Sequence, residues 1–130
     1  MRFIPTKFHA PLDYIVGVAL IAMPWIFQFS DITAATVVTV VLGIGLIAYS
    51  QLTDYELGVW KVAPMAVHNL IDVVAGAFLA LSPWLFGFAD ESANVWLPFV
   101  VVGLAAVFLG LTTKQRGGYS YRRDTARTAA

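Results

Sequence analysis

The chain has two histidines, and each stands four residues ahead of an aspartate: His9 with Asp13, and His68 with Asp72. On an α-helix this spacing puts both side chains on one face, about one turn apart. Imidazole and carboxylate placed in this way support four kinds of chemistry. Each aspartate can cap its own helix or accept a hydrogen bond from an imidazole, giving a polar clasp that fixes helix register. Together the four groups can hold a borderline cation such as zinc, manganese or iron. They can relay protons or ions, which would imply transport. The two imidazoles can also ligate a haem, although both would lie at a membrane edge, a poor place to bury a porphyrin. The residues leave these readings open, and the clasp asks least of the sequence.

Other chemistry is scarce. The absence of cysteine removes thiolate nucleophiles, disulfides, iron–sulfur clusters and CxxC redox sites. Phosphate-cradling glycine motifs are missing, as is a serine elbow with triad partners. The expectation is therefore a non-enzymatic protein with no resident cofactor, unless the two His–Asp pairs bind a metal.

The elements that must position these pairs follow from where the charges fall. Only 12% of the 130 residues are charged, while 59% are apolar and 14% aromatic; an ordinary soluble domain carries roughly 25% charged residues. Eight Lys and Arg balance eight Asp and Glu, so no basic surface is available for nucleic acid. The charges bound four uncharged runs, 14–30, 32–53, 73–89 and 92–113. A bilayer core of about 30 Å needs roughly 20 helical residues, so each run is long enough to span it. The runs lack the alternation of a membrane barrel strand. The expected architecture is an all-α polytopic membrane protein, one domain over 1–130 with four transmembrane helices. The two short runs borrow a turn from Ala10–Asp13 and Asn69–Asp72, which puts Pro11 near a first helical position.

Orientation follows from Lys and Arg. Arg2 and Lys7 precede the first run, Lys61 lies in the middle connection, and Lys114, Arg116, Arg122, Arg123 and Arg127 follow the last. The turns around Asp31 and around Asp90 and Glu91 have none. Both termini are therefore expected in the cytoplasm of an inner-membrane protein, with a basic tail, 114–130, drawn to anionic lipid. The first run follows Arg2 and Lys7 as a signal peptide would, but its near-copy at mid-chain favours a retained span. Tyr55 and Trp60, beside charges in the middle connection, suggest a segment lying along the inner interface.

Displacing the chain by 59 positions aligns Pro5 with Pro64, His9 with His68, Asp13 with Asp72, Gly17 with Gly76, Leu20 with Leu79, Pro24 with Pro83 and Trp25 with Trp84. Phe27, Phe29 and Asp31 then align with Phe86, Phe88 and Asp90. With one inserted residue, Val40, Val41 and Gly43 fall on Val100, Val101 and Gly103. The chain is thus a tandem duplication of a helical hairpin, 5–53 and 64–113. An even number of spans per copy makes the repeats parallel, related by a pseudo-two-fold axis along the membrane normal. His9, Asp13, Gly17, Leu20, Pro24 and Phe27 fall within about 80° of one helix face. Identity confined to one stripe points it into the protein, so the first and third helices should line the interior. Gly17, Gly76, Gly43 and Gly45 would permit close helix approach. Pro24 and Pro83 should bend the outer ends, leaving Trp25 and Trp84 as headgroup anchors and the phenylalanines filling the space before the acidic turns.

The segments Ala22-Met23-Pro24-Trp25-Ile26-Phe27 and Leu81-Ser82-Pro83-Trp84-Leu85-Phe86-Gly87-Phe88, each following a His-xxx-Asp, resemble the SPW-repeat family of small bacterial membrane proteins. The second copy carries the full Ser-Pro-Trp, whereas the first has Met23 in place of serine. The resemblance runs from Pro5 to about Thr113 and implies a tandem-hairpin membrane protein without an assigned activity. The functional expectation is a structural or accessory membrane protein, self-associating or part of a larger complex, in contact with lipid and not nucleic acid. The alternative is a small ion- or proton-coupled transporter or metal-binding membrane protein using His9, Asp13, His68 and Asp72.

Overall fold

The computed structural model describes residues 1–115 and 126–129, so most of the expected basic tail lies outside the described residues. Among the described residues four long helices follow one another: α1 Thr6–Ile26, α2 Thr33–Leu52, α3 Met65–Leu85 and α4 Ala93–Thr112. All four are long and apolar enough to cross a membrane. At 1.5 Å per residue each spans about 30 Å. The chain is a four-span helical membrane protein. Large apolar side chains such as Ile15, Val18, Val74 and Leu104 point outward and stay exposed, as they must where the surroundings are hydrocarbon.

The two repeats agree element by element. Both α1 and α3 begin after an extended proline, Pro5 or Pro64, whose fixed φ suits a helix start. Pro11 accordingly lies inside α1, well past its first turn. Neither helix has a side-chain cap, so Asp13 and Asp72 do not cap their own helices; both sit deeper, on the buried face. At the other end the helices run two residues past Pro24 and Pro83, then close through a left-handed residue, Gln28 at φ 59° or Gly87 at φ 74°. The amides of Phe29 and Phe88 return to the carbonyls of Pro24 and Pro83, each at 2.8 Å. That closure turns both phenylalanines inward against Phe99, at ring distances of 5.5 and 4.8 Å. Phe27 and Phe86 are exposed instead, so the inward stripe ends at the prolines.

Each hairpin crosses at a glycine pair. A Cβ at Gly43 would meet the Gly17 carbonyl at 2.6 Å, and one at Gly103 would meet the Gly76 carbonyl at 2.5 Å. Gly17 and Gly76 therefore serve the contact within each hairpin, α1 on α2 and α3 on α4. Gly45 does not share this role, because a Cβ there would meet nothing within 4 Å. As the stripe predicts, α1 and α3 are the more buried helices. An apolar core of Leu20, Met23, Leu79, Phe29, Phe88, Val95 and Phe99 fills the end next to the acidic turns.

At the opposite end two short parallel bridges, Ile4 with Thr113 and Ala63 with Thr53, fasten the start of each repeat to the end of the other repeat's second helix. Their hydrogen bonds repeat one another. The amides of Phe3 and Ile4 reach Thr112 O, and those of Val62 and Ala63 reach Leu52 O. Lys114 N returns to Ile4 O, and Asp54 N to Ala63 O. Arg2 reinforces the first bridge by donating to the Gly110 and Thr113 carbonyls. These bridges fix where Thr53 and Thr113 sit.

Candidate functional site

The duplicated face of α1 meets the duplicated face of α3 in one buried cluster. His9 Nε2 lies 3.0 Å from Asp13 Oδ1 on its own helix and 3.0 Å from Asp72 Oδ2 across the repeat boundary. His68 Nε2 lies 3.0 Å from Asp13 Oδ2 and 3.5 Å from Asp72 Oδ1. Each imidazole thus contacts both carboxylates and each carboxylate both imidazoles, with the two rings edge-on at 5.4 Å. All four residues are buried. The i, i+4 spacing supplies half of these contacts, and the parallel repeat supplies the other half.

The far sides of the rings are held by threonines. His68 Nδ1 is 2.7 Å from Thr53 Oγ1, and His9 Nδ1 is 2.7 Å from Thr113 Oγ1. Thr53 donates its only hydroxyl proton to the Tyr49 carbonyl at 2.9 Å, so it can only accept from His68. His68 Nδ1 therefore carries a proton. Its Nε2 is then either a lone pair directed into the carboxylate cluster or the second N–H of an imidazolium. Despite the short distances, neither Nε2 has a carboxylate oxygen in line for a well-formed hydrogen bond. The ring nitrogens face a shared space among the carboxylates more than they face any single oxygen.

The connection between the repeats closes the cluster from the His end. Tyr55 is fully buried and donates to Asp13 Oδ2 at 2.8 Å. Burial, and then the Asp13 carboxylate, push the Tyr55 phenol above its ordinary value, so it remains a donor. This corrects the interface role expected for Tyr55; only Trp60 of that pair is exposed. Lys61 holds the turn by donating to the Tyr55 carbonyl, and Thr6 donates to Glu56 at 2.9 Å. The Tyr49 ring stacks on His68 at 5.1 Å. Asn69, also buried, donates to the Thr113 carbonyl at 3.1 Å.

Thr53, Thr113 and Tyr55 are the members that sequence reasoning missed. The threonines left a signal, since Thr53 and Thr113 correspond under the same offset that aligns Gly43 with Gly103. Tyr55 left none, because the matching position is Gln115, which is exposed. The remaining motif residues lie far from the cluster and serve packing. Pro24 and Pro83 are buried, while Trp25 and Trp84 point outward and are about 60% exposed. Ser82 is buried with its hydroxyl bonded at 2.7 Å to the Phe78 carbonyl of its own helix. That bond is internal to α3, so Met23 can fill the equivalent buried place without leaving a partner unpaired.

The chemistry of the four groups suits a cation. Tetrahedral coordination with metal–ligand distances of about 2.0–2.2 Å separates ligands by roughly 3.3–3.5 Å. The imidazole–carboxylate distances lie at or just below that range, and all four donor atoms fall within 4.8 Å of one another. Two carboxylates match the charge of one divalent ion, or of two imidazolium protons. Either occupant neutralises a cluster that would otherwise be strongly disfavoured away from water. A histidine that donates its outer N–H to a fixed acceptor and presents its inner nitrogen is also the usual arrangement around a bound metal.

Comparison with curated proteins and with solved structures finds no match to this chain. Comparison with family models does: residues 7–113 match the SPW repeat domain, over the four spans and both His–Asp pairs. The chain belongs to the SPW-repeat family of membrane proteins.

Proposed function

We propose that this protein is a non-enzymatic divalent-cation-binding protein of the inner membrane, in which one ion held by His9, Asp13, His68 and Asp72 locks the two hairpins together. The observation that carries this reading is the convergence of both Nε2 atoms on both carboxylates without an aligned hydrogen bond among them. A shared cation draws all four donor atoms toward one centre, and they lie within 4.8 Å of one another. Two nitrogens and two carboxylate oxygens favour zinc, then manganese or iron, over calcium or magnesium.

The ion's role is structural. Between the cluster and the acidic turns lies the apolar core of Leu20, Met23, Phe29, Phe88 and Phe99, and the buried hydroxyls of Thr39 and Ser82 beside it are spent on carbonyls of their own helices. This favours a locking ion over a transported one. A small bundle with so much outward apolar surface suits an accessory subunit or a homo-oligomer, with its His end and both termini in the cytoplasm by the distribution of Lys and Arg.

Elemental analysis of the purified protein tests the reading. One zinc, manganese or iron per chain is expected, lost in the Asp13→Asn plus Asp72→Asn double variant and restored by neither calcium nor magnesium. Absence of any bound transition metal, together with no uptake of added zinc, manganese or iron, would leave the proton clasp in its place.

A further inference from the structure

The connection between the repeats has its polarity reversed. A loop in water turns charge outward, yet in residues 54–62 each charged side chain has a polar atom bonded to the protein or buried by it. Glu56 accepts from the buried Thr6, Lys61 donates to the Tyr55 carbonyl, and Asp54 Oδ1 is buried. The large apolar side chains face outward instead: Leu57, Val59, Trp60 and Val62 are 47, 65, 60 and 71% exposed. The first repeat does the same at its start, where Phe3, the match of Val62, is exposed too. So many outward apolar side chains in so short a segment mark an interaction surface.

The backbone places that surface beside lipid. The amides of Val59 and Trp60 bond the Gln51 carbonyl and that of Val62 the Leu52 carbonyl, so the segment doubles back along the last turn of α2. On its other side the hydroxyl of Tyr14, about two turns inside α1, donates to the Leu57 carbonyl at 2.9 Å. The segment therefore lies against the ends of the spans and does not project into water. The adjoining turns of α1 and α2 expose Phe8, Leu12 and Leu52, so the patch continues the hydrocarbon-facing surface of those helices. Trp60 with Lys61 beside it suits the boundary between headgroups and acyl chains. The same segment carries the cover of the cluster. Tyr55 donates to Asp13, and its carbonyl accepts from Lys61 and from the Gly58 amide, which ties it to the exposed patch in one turn.

We infer that Leu57, Val59, Trp60 and Val62 insert into the lipid leaflet at the His end, and that this contact holds residues 54–62 closed over the cluster as a membrane-seated lid. Lifting the patch out of lipid draws Tyr55 off Asp13 and opens the His end to water. Where the cluster holds an ion, the ion exchanges with water only when the lid leaves the lipid. That last consequence rests on the cation-binding reading, whereas the lid itself does not.

The test uses nanodiscs of phosphatidylcholine and phosphatidylglycerol, which leave both faces of the bilayer open to reagents. The chain has no cysteine, so a nitroxide can be placed through Val59→Cys alone. Oxygen should relax that label while a neutral, water-soluble gadolinium chelate does not; a label at Ser30→Cys, in an exposed turn, should respond to the chelate. A label at position 59 as open to the chelate as the one at 30 would overturn the insertion, as would shielding from both reagents by a second copy or another protein. Hydrogen exchange then reads the lid. Val59→Ser plus Trp60→Ser plus Val62→Ser keeps the backbone bonds to α2 and removes the apolar contact, so amides of 54–63 should exchange about 10- to 100-fold faster, with the variant still folded in detergent. Unchanged exchange would refute the lid; if the triple variant fails to fold, Trp60→Ser takes its place under the same criterion. From zinc-loaded protein, removal of zinc by EDTA should quicken alongside amide exchange, and unchanged removal from a variant with faster exchange would refute the link to the ion. A protein that takes up no metal would sink the cation-binding reading and leave amide exchange to decide the lid.

Discussion

Replacing Thr53 by valine keeps the shape of a fully buried side chain and removes one hydroxyl with two jobs. That hydroxyl accepts from His68 Nδ1 at 2.7 Å and donates to the Tyr49 carbonyl at 2.9 Å. Valine leaves a buried ring N–H without an acceptor, a loss of about 1–3 kcal/mol. The Tyr49 carbonyl lies in the last turn of α2, where carbonyls lack intrahelical amides, and it loses a partner too. A total of about 2–4 kcal/mol follows, with any gain from the extra methyl set against it. Thr112→Val is the matched control. Its hydroxyl also bonds a carbonyl four residues back, Phe108 at 2.6 Å, but it is exposed and touches no histidine. That change should cost under about 0.5 kcal/mol, as for surface substitutions generally. Reversible denaturation in detergent measures both. Competitive metal titration should show affinity falling about 10- to 100-fold in Thr53→Val, as when a ligand's outer partner is lost. Equal stability of the two variants, with equal metal affinity, would refute the claim that Thr53 sets the orientation of His68.

Thr113→Val should cost about 1–3 kcal/mol, less than Thr53→Val, because the Thr113 hydroxyl holds His9 as Thr53 holds His68 but the Leu109 carbonyl behind it is already bonded to the Thr113 amide; a larger loss than for Thr53→Val in denaturation would contradict this. Tyr55→Phe removes the donor to Asp13 Oδ2 and should destabilise by about 1.5–3 kcal/mol, the range for hydrogen bonds to charged groups; an unchanged unfolding midpoint would count against a buried charged carboxylate. Gln28→Gly should stabilise by about 0.5–1 kcal/mol, since Gln28 holds the left-handed conformation that the second repeat gives to Gly87, and a lowered midpoint would contradict this. Gly43→Leu should break the α1–α2 crossing, where even a Cβ meets the Gly17 carbonyl at 2.6 Å, and lose folded protein as read by proteolysis; Gly45→Leu should not. Protons and metal compete for the histidine nitrogens, so metal affinity should fall as pH is lowered, and a flat profile in the titration would exclude histidine ligation.

Much of the fold was legible because hydrocarbon imposes a simple rule. A span must satisfy its backbone internally and present apolar side chains, so uncharged runs bounded by charge mark helices directly. The duplication then revealed its own packing. Positions facing lipid need only be apolar, whereas positions facing protein are fixed in size and chemistry, and the matched stripe from His9 to Pro24 and from His68 to Pro83 is the buried one. The same logic fails past the prolines. Phe27 matches Phe86 as well as Phe29 matches Phe88, yet only the second pair is buried, because a left-handed residue in each turn rotates the chain between them.

The sequence by itself determined which four groups could act together, since the i, i+4 spacing fixes His9 beside Asp13 and His68 beside Asp72 on their own helices. Only the tertiary structure decided the cross-repeat contacts, His9 to Asp72 and His68 to Asp13, which depend on how two hairpins dock. It also decided the outer partners, Thr53, Thr113 and Tyr55, which stand at the ends of α2 and α4 or in a connection. The physical reason is range. Helical periodicity orders side chains over one or two turns, whereas the bridges that bring Thr113 to His9 and Thr53 to His68 join distant or turned-back backbone, and no local pattern encodes where such segments meet.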